Sequence, residues 1–211
     1  MAETSRPAVD RSTVDGGRSV GEPLPDAAAT DAPHVEPPTD PLAEVLALVE
    51  QSDSLDPFAD RVLTAARDLL GSGPVGEVLT GGWLGHPLHP VLVDLPIGFW
   101  TSGVTLDVLM PRRSHDAARK LIGLGVLCAV PAALSGWADA SQRETPEERR
   151  TAIVHAACNG SATVMFAASW LARRHDHHLR GKVWGLFGSA AATAGAAFGG
   201  HLAFGEPRLA D

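Results

Sequence analysis

From residue 88 onward the chain alternates long apolar stretches with short charged ones. Leu88 to Met110 carries only Asp94 and Asp107 as charges, and Leu121 to Ala138 carries none. Ala152 to Ala172 and Val183 to Gly205 are likewise free of Asp, Glu, Lys and Arg. An α-helix rises about 1.5 Å per residue, so about 20 apolar residues cross a hydrocarbon core of about 30 Å. The pattern predicts an all-α fold with four transmembrane helices over about residues 88–110, 121–138, 152–172 and 183–205. The fourth is the least apolar, because GSAAATAGAAFGG is built of small residues. Gly188, Ala192, Gly195 and Gly199 nonetheless share one helical stripe on which a neighbouring backbone can approach closely. A soluble bundle of this size would give each helix a polar face, which these four lack.

Upstream, the periodicity is that of short amphipathic helices. Asp40 followed by Pro41 is a helix start, and Leu42, Val45, Leu46 and Val49 recur at helical spacing. A second start at Asp56 and Pro57 leads into Phe58, Val62, Ala65 and Leu69, with Gly71 closing it. Both segments are too polar to span a bilayer. A single apolar stripe suits either the membrane surface or the bundle. Their acidic polar faces, which anionic headgroups repel, favour docking on the bundle. The expected organisation is a disordered acidic tail over 1–40, amphipathic helices over 41–82, the four-helix domain over 83–205 and a short tail over 206–211.

Mean hydropathy of +0.04 and 45% hydrophobic residues would pass for a soluble protein, but the average hides an uneven charge. Residues 1–85 hold 15 of the 25 acidic and 5 of the 17 basic residues, so the negative net charge belongs to the N-terminal part and speaks against nucleic acid as a partner. That part is rich in Pro, Ala, Asp, Thr and Gly and cannot bury enough surface to order itself. It also lacks the continuous apolar run of a secretory signal. Cys128 and Cys158 lie inside apolar runs without CxxC spacing and read as small packing residues.

The stretch after the first span carries Arg112, Arg113, Arg119 and Lys120, and the one after the third carries Arg173, Arg174, Arg180 and Lys182. The other side holds Arg143, Arg149, Arg150 and Arg208, so eight basic residues stand against four. Cytoplasmic loops carry the excess of Lys and Arg, which places both termini outside the cell membrane.

In an up-down bundle the starts of spans one and three share a membrane face with the ends of spans two and four. His86, His89, Asp94, Trp137, Asp139, His155 and His201 therefore collect at one face. Ionisable groups within a membrane are costly, face the bundle interior and mark function. By that rule the stripes His155, Asn159, Ala162, Phe166 and Asp94, Gly98, Thr101, Thr105 should point inward. His155 and His201 weigh most, each being the only ionisable group in its run. His86 and His89, beside Pro87 and Pro90, could simply sit at headgroup level, and Asp94 could be a carboxylate favoured by the helix dipole. Trp137, with Trp83 and Trp100, reads as an interfacial anchor, and His175, His177 and His178 read as a solvated loop cluster.

The run Trp83-Leu84-Gly85-His86-Pro87-Leu88-His89-Pro90, followed by Asp94-Leu95-Pro96-Ile97-Gly98, resembles the hallmark of a bacterial membrane family, the domain of unknown function 2231 family. Leu134 to Asp139, His155 with Asn159, and Gly199-Gly200-His201-Leu202 fit its later signatures. The resemblance covers roughly residues 77 to 205. It implies a four-helix membrane domain, in some relatives followed by a Rieske iron–sulfur domain, and so hints at redox work with a Rieske-type or other redox protein. No Cys-x-His pair stands in this chain, so a redox role would rest on the helices alone.

The leading expectation is a haem- or metal-binding redox module rather than a stand-alone enzyme. Two or three of His89, His155 and His201 would hold haem b, with Gly195 and Gly199 leaving room for the ring. Alternatively these three with His86 would hold a transition metal, with Asp94, Asp139 and Asn159 orienting the imidazoles. The other reading is a non-catalytic scaffold or partner-binding subunit whose histidines form an interhelical hydrogen-bond network, with the acidic tail recruiting a partner. Transport would require oligomerisation, a homo-oligomer being the simplest form. No constellation of nucleophile, base and oxyanion donors points to hydrolysis.

Overall fold

The computed structural model describes residues 40–110 and 114–205. The expected disordered tail up to residue 39, Arg112, Arg113 and residues 206–211 lie outside them. The described residues form helices and no strand: α1 (Pro41–Glu50), α2 (Asp56–Leu70), α3 (Gly73–Thr80), α4 (His89–Leu109), α5 (His115–Ala140), α6 (Pro146–Arg174) and α7 (His178–Phe204). Among them α4, α5 and α6 are long and apolar enough to cross a membrane. α7 has 27 residues and matches them in length, but its Ala and Gly content leaves it less apolar.

The helices outrun the apolar stretches because their polar ends are good helix formers. Asp116 at the start of α5 pairs with Arg119 and Lys120 one turn on, and such pairs support exposed helix. Thr145 caps α6 by accepting from the Glu148 amide at 3.3 Å, and Glu147 and Glu148 suit the positive end of its dipole. At the far end of α6, Arg173 and Arg174 suit the negative end.

Glycines on one helix receive large side chains from the next. Along α7, Gly181 and Gly185 back onto Arg173 and Ser169, Gly188 onto Phe166, Gly195 onto Asn159 and Gly199 onto His155. The small-residue stripe of α7 and the His155 stripe of α6 are thus the two halves of one interface. Between α4 and α5, Gly125 receives Trp100, Gly136 receives His89, and Gly103 receives Ile122. Trp100 is not an interfacial anchor: it is only 6% exposed and stacks on Phe166 with ring centroids 4.3 Å apart. The space over Gly125 draws it inward.

The short helices dock on the end of the bundle where α4 and α6 begin. Ala59 and Leu63 of α2 pack with Ile153 of α6, joined by Val62, Trp137 and Ala140. Trp137 is therefore half-buried beneath α2, whereas Trp83 stays exposed. The Arg67 guanidinium donates to the Ser141 carbonyl at 3.0 and 2.5 Å, and Ser135 donates to the Leu79 carbonyl at 2.6 Å. The sequence pattern did not separate α3 from the segment after α2. Its markers were Pro74 in the first turn and Gly81, whose φ of 82° ends the helix in the left-handed region.

Buried Arg150 of α6 fastens this cap. It makes a two-pronged pair with Asp56 at 2.6 and 2.7 Å, and also reaches the Glu50 carbonyl at 2.5 Å and Asp53 at 2.7 Å. Its hydrogen bonds hold the Asp56 carboxyl below the ordinary carboxylate range. A carboxyl whose folded pKa is depressed contributes its full stabilisation above the unfolded pKa and loses it as pH falls through the folded one. Hydrogen exchange in α2 should therefore be insensitive to pH-linked undocking from neutrality to about pH 4 and accelerate below that. Arg150→Ala should show the faster exchange already at neutral pH. Equal protection in variant and parent would refute the fastening role.

Candidate functional site

His89 stands in the first turn of α4, with its Nδ1 2.8 Å from the carbonyl oxygen of Ala132 in α5. His155, in the third turn of α6, places Nδ1 2.8 Å from the carbonyl oxygen of Gly195 in α7. A carbonyl oxygen can only accept, so each Nδ1 carries a proton and donates it, and in the neutral ring Nε2 is left as the acceptor. The two rings meet edge to face, with centroids 6.2 Å apart and planes at 85°. Asn159, one turn beyond His155, puts its amide nitrogen 3.4 Å from His155 Nε2 and donates to the His155 carbonyl at 3.0 Å.

The glycine packing fixes both rings. A Cβ on Gly136 would lie 2.7 Å from Cε1 of His89, and one on Gly199 would lie 2.7 Å from Cε1 of His155. The space that Gly195 and Gly199 open is occupied by Asn159 and His155 themselves.

The other candidates are placed elsewhere. His201 turns to the cap, with Nε2 2.6 Å from the Glu50 carboxylate at the end of α1. His86 is exposed and its Nδ1 lies 3.2 Å from the carbonyl of the next residue, Pro87. Asp94 is exposed, and the stripe it heads, Gly98, Thr101 and Thr105, is exposed with it. This reverses the inward orientation expected for α4: its buried residues are Pro96, Trp100, Gly103 and Asp107. Asp139 is half-buried one turn before Arg143, and among the described residues no hydrogen bond joins it to a histidine. Among the described residues, no three His, Cys, Asp or Glu side chains gather in a metal-binding group.

Glu50 was missed by sequence reasoning. Its signal was position: a carboxylate in the last turn of a helix opposes the dipole and so points to a partner elsewhere. At the opposite end of the bundle, His175 and His177 are exposed as expected for a solvated loop. His178 departs from it by stacking on His115 of α5, with centroids 3.9 Å apart.

No curated protein and no solved structure matches the chain. A family described as "Predicted membrane protein (DUF2231)" matches residues 85–204, more than half of the chain, from the residue before His86 to the last turn of α7. The match takes in His89, His155 and His201 but leaves out the cap helices. The chain is therefore a membrane protein belonging to the domain of unknown function 2231 family.

Proposed function

We propose that the domain is a membrane module that binds one transition-metal ion between His89 and His155. The observation that carries this reading is that each Nδ1 proton is committed to a backbone carbonyl. This is the arrangement by which metal-ligating histidines are usually oriented and their Nε2 lone pairs presented. Imidazole nitrogen suits zinc, copper, iron and nickel. The packing favours a bare ion over haem: a porphyrin needs an open slot beside its axial ligands, and here Gly136 and Gly199 back directly onto both rings. The carbonyls of Ala132 and Gly195 hold the tautomers, the glycines set the depth of the rings, and Asn159 steadies His155 from one turn below. When the ion is iron or copper it supplies one-electron chemistry, which would serve a Rieske-type or other redox partner. The Lys and Arg count favours the histidine end lying outside the cell membrane.

A second reading is favoured by a specific feature. Each of the three histidines already ties two helices together, His89 joining α4 to α5, His155 joining α6 to α7, and His201 joining α7 to α1. In that reading the network is a structural strap and the module a scaffold.

Elemental analysis and visible absorption of the full chain purified in detergent decide between them. The expected result is a bound transition metal without a Soret band, lost in His89→Ala and in His155→Ala but retained in His86→Ala and His201→Ala. A preparation without metal, and without uptake of added zinc or copper, would give the case to the scaffold. A Soret band would overturn the choice of a bare ion.

A further inference from the structure

A cavity of about 80 Å³ lies where α2 meets the turn from α5 to α6, lined by Leu63, Thr64, Arg67, Ser141 and Arg149. At about 30 Å³ per water in the liquid, that is room for roughly two or three waters or for one small oxyanion. Two guanidinium-bearing side chains therefore share one small space. Arg149, in the first turn of α6, holds its Nη2 2.8 Å from the Asp60 carboxylate, but its Nε is buried and has no hydrogen-bond partner. Arg67 is anchored differently: its Nε and Nη2 donate to the Ser141 carbonyl at 3.0 and 2.5 Å, and among the described residues no carboxylate pairs with it. Its Nη1 group is left over. Asp60, whose side chain is 61% exposed, thus answers one of the two positive charges. A buried donor without a partner is costly, and more so when it belongs to a charged group.

We infer that this cavity takes a phosphate group, held between Arg149 and Arg67. Charge decides against water as the occupant. Two cations and one exposed carboxylate leave the site net positive, and an oxyanion answers both that charge and the buried Nε–H. The guanidinium fork matches phosphate oxygens. Arg149 offers its Nε, Arg67 its Nη1 group and Thr64 its hydroxyl. Donors brought by two different helices suit the tetrahedral spread of phosphate oxygens better than the flat edge of a carboxylate. Ser141 and Arg149 stand three residues outside the apolar stretches that end at Ala138 and begin at Ala152. At about 1.5 Å per residue, that is about 4–5 Å beyond the hydrocarbon edge, within the headgroup layer. Two sources of phosphate reach that depth, a lipid headgroup and the free ion, and the same guanidinium chemistry receives either.

Two probes test the site on the full chain in dodecyl maltoside. Equilibrium dialysis with radiolabelled inorganic phosphate reads the free anion, and native mass spectrometry from mixed micelles with phosphatidylglycerol reads the lipid. Saturable binding of at least one probe is expected. Inorganic phosphate that phosphatidylglycerol leaves in place identifies the free ion as the source; its displacement, or retention of lipid alone, identifies the headgroup. Arg149→Gln and Arg67→Gln should each weaken binding about 10- to 100-fold, the scale of a hydrogen bond to a charged group. Arg149→Lys should lose nearly as much, because lysine keeps the charge but brings no Nε–H to that place. Asp60→Asn breaks the same ion pair as the Arg149 variants but removes a competing carboxylate, so it should tighten binding about two- to fivefold. A loss caused only by loosened docking of α2 would appear in Asp60→Asn as well. Binding of neither probe by the parent, binding that the arginine variants leave unchanged, or weaker binding in Asp60→Asn would overturn the inference.

Discussion

Replacing Arg173 with alanine should destabilise the bundle by about 3–5 kcal/mol, the loss expected when one member of a buried ion pair is removed and the other is left behind. The Arg173 side chain is fully buried, and its guanidinium meets the Asp107 carboxylate of α4 with two parallel bonds of 3.0 and 2.5 Å. Its Nε contacts the Ser169 hydroxyl at 3.2 Å, and that hydroxyl donates to the Gly181 carbonyl at 2.5 Å. One side chain therefore links α4, α6 and the start of α7. Lys182 stands 3.9 Å from Asp107, too far to replace a two-pronged partner. Asp107→Ala should cost a similar amount, because it strands the arginine. Replacing both at once, as Asp107→Leu with Arg173→Met, removes the desolvated charges together and should recover most of the loss. Unfolding in mixed detergent micelles, followed by helical circular dichroism, gives the four values of this cycle. A single variant within about 1 kcal/mol of the parent would show that the pair is not the strut described here.

The same pair explains what was legible in the sequence and what was not. Three of the four spans were plain because length and apolarity are properties of a segment alone. The α6 and α7 stripes could be read correctly because glycines and bulky residues recur at matching steps, so the two faces complete each other. α4 offers two stripes of identical spacing, one headed by Asp94 and one ending in Asp107. The rule that polar residues face inward chose the first, since it holds more of them. The structure buries the second, because Arg173 supplies the counter-charge for Asp107 and Gly125 supplies the space for Trp100. Neither partner can be identified from α4 itself. That His89 and His155 stand at one end of the bundle follows from their places in their helices. The direction of the histidines was not readable, since His201 turns toward Glu50, a residue in a helix outside the bundle. The hydrogen bonds that orient His89 and His155 end on backbone carbonyls, which no side-chain pattern reveals.

Trp100→Ala should cost about 3 kcal/mol, the low end of the range for removing a large aromatic from a core. Between membrane helices the gain from leaving water is absent, so what is lost is close contact and the cavity left behind. The indole is sandwiched between the backbone of α5 at Gly125 and the ring of Phe166, whose plane lies within 11° of its own, and Val104, Val126 and Trp170 close the cluster. The reverse insult should also be felt. A methyl group on Gly125 would stand closer to the indole than carbon atoms tolerate, and a ring stacked on its far side cannot retreat. Gly125→Ala should therefore cost about 1–3 kcal/mol, as overpacking does. If the two residues form one contact, the penalties cannot add: with the indole gone, the added methyl group partly fills the hole. The double variant Trp100→Ala with Gly125→Ala should be no less stable than Trp100→Ala alone, a coupling of about 1–3 kcal/mol. Trp100→Phe should be far milder, because the buried indole N–H has no hydrogen-bond partner to lose. Strict additivity in this cycle, measured by the same detergent unfolding, would mean that Trp100 and Gly125 do not share the seam that joins α4 to α5.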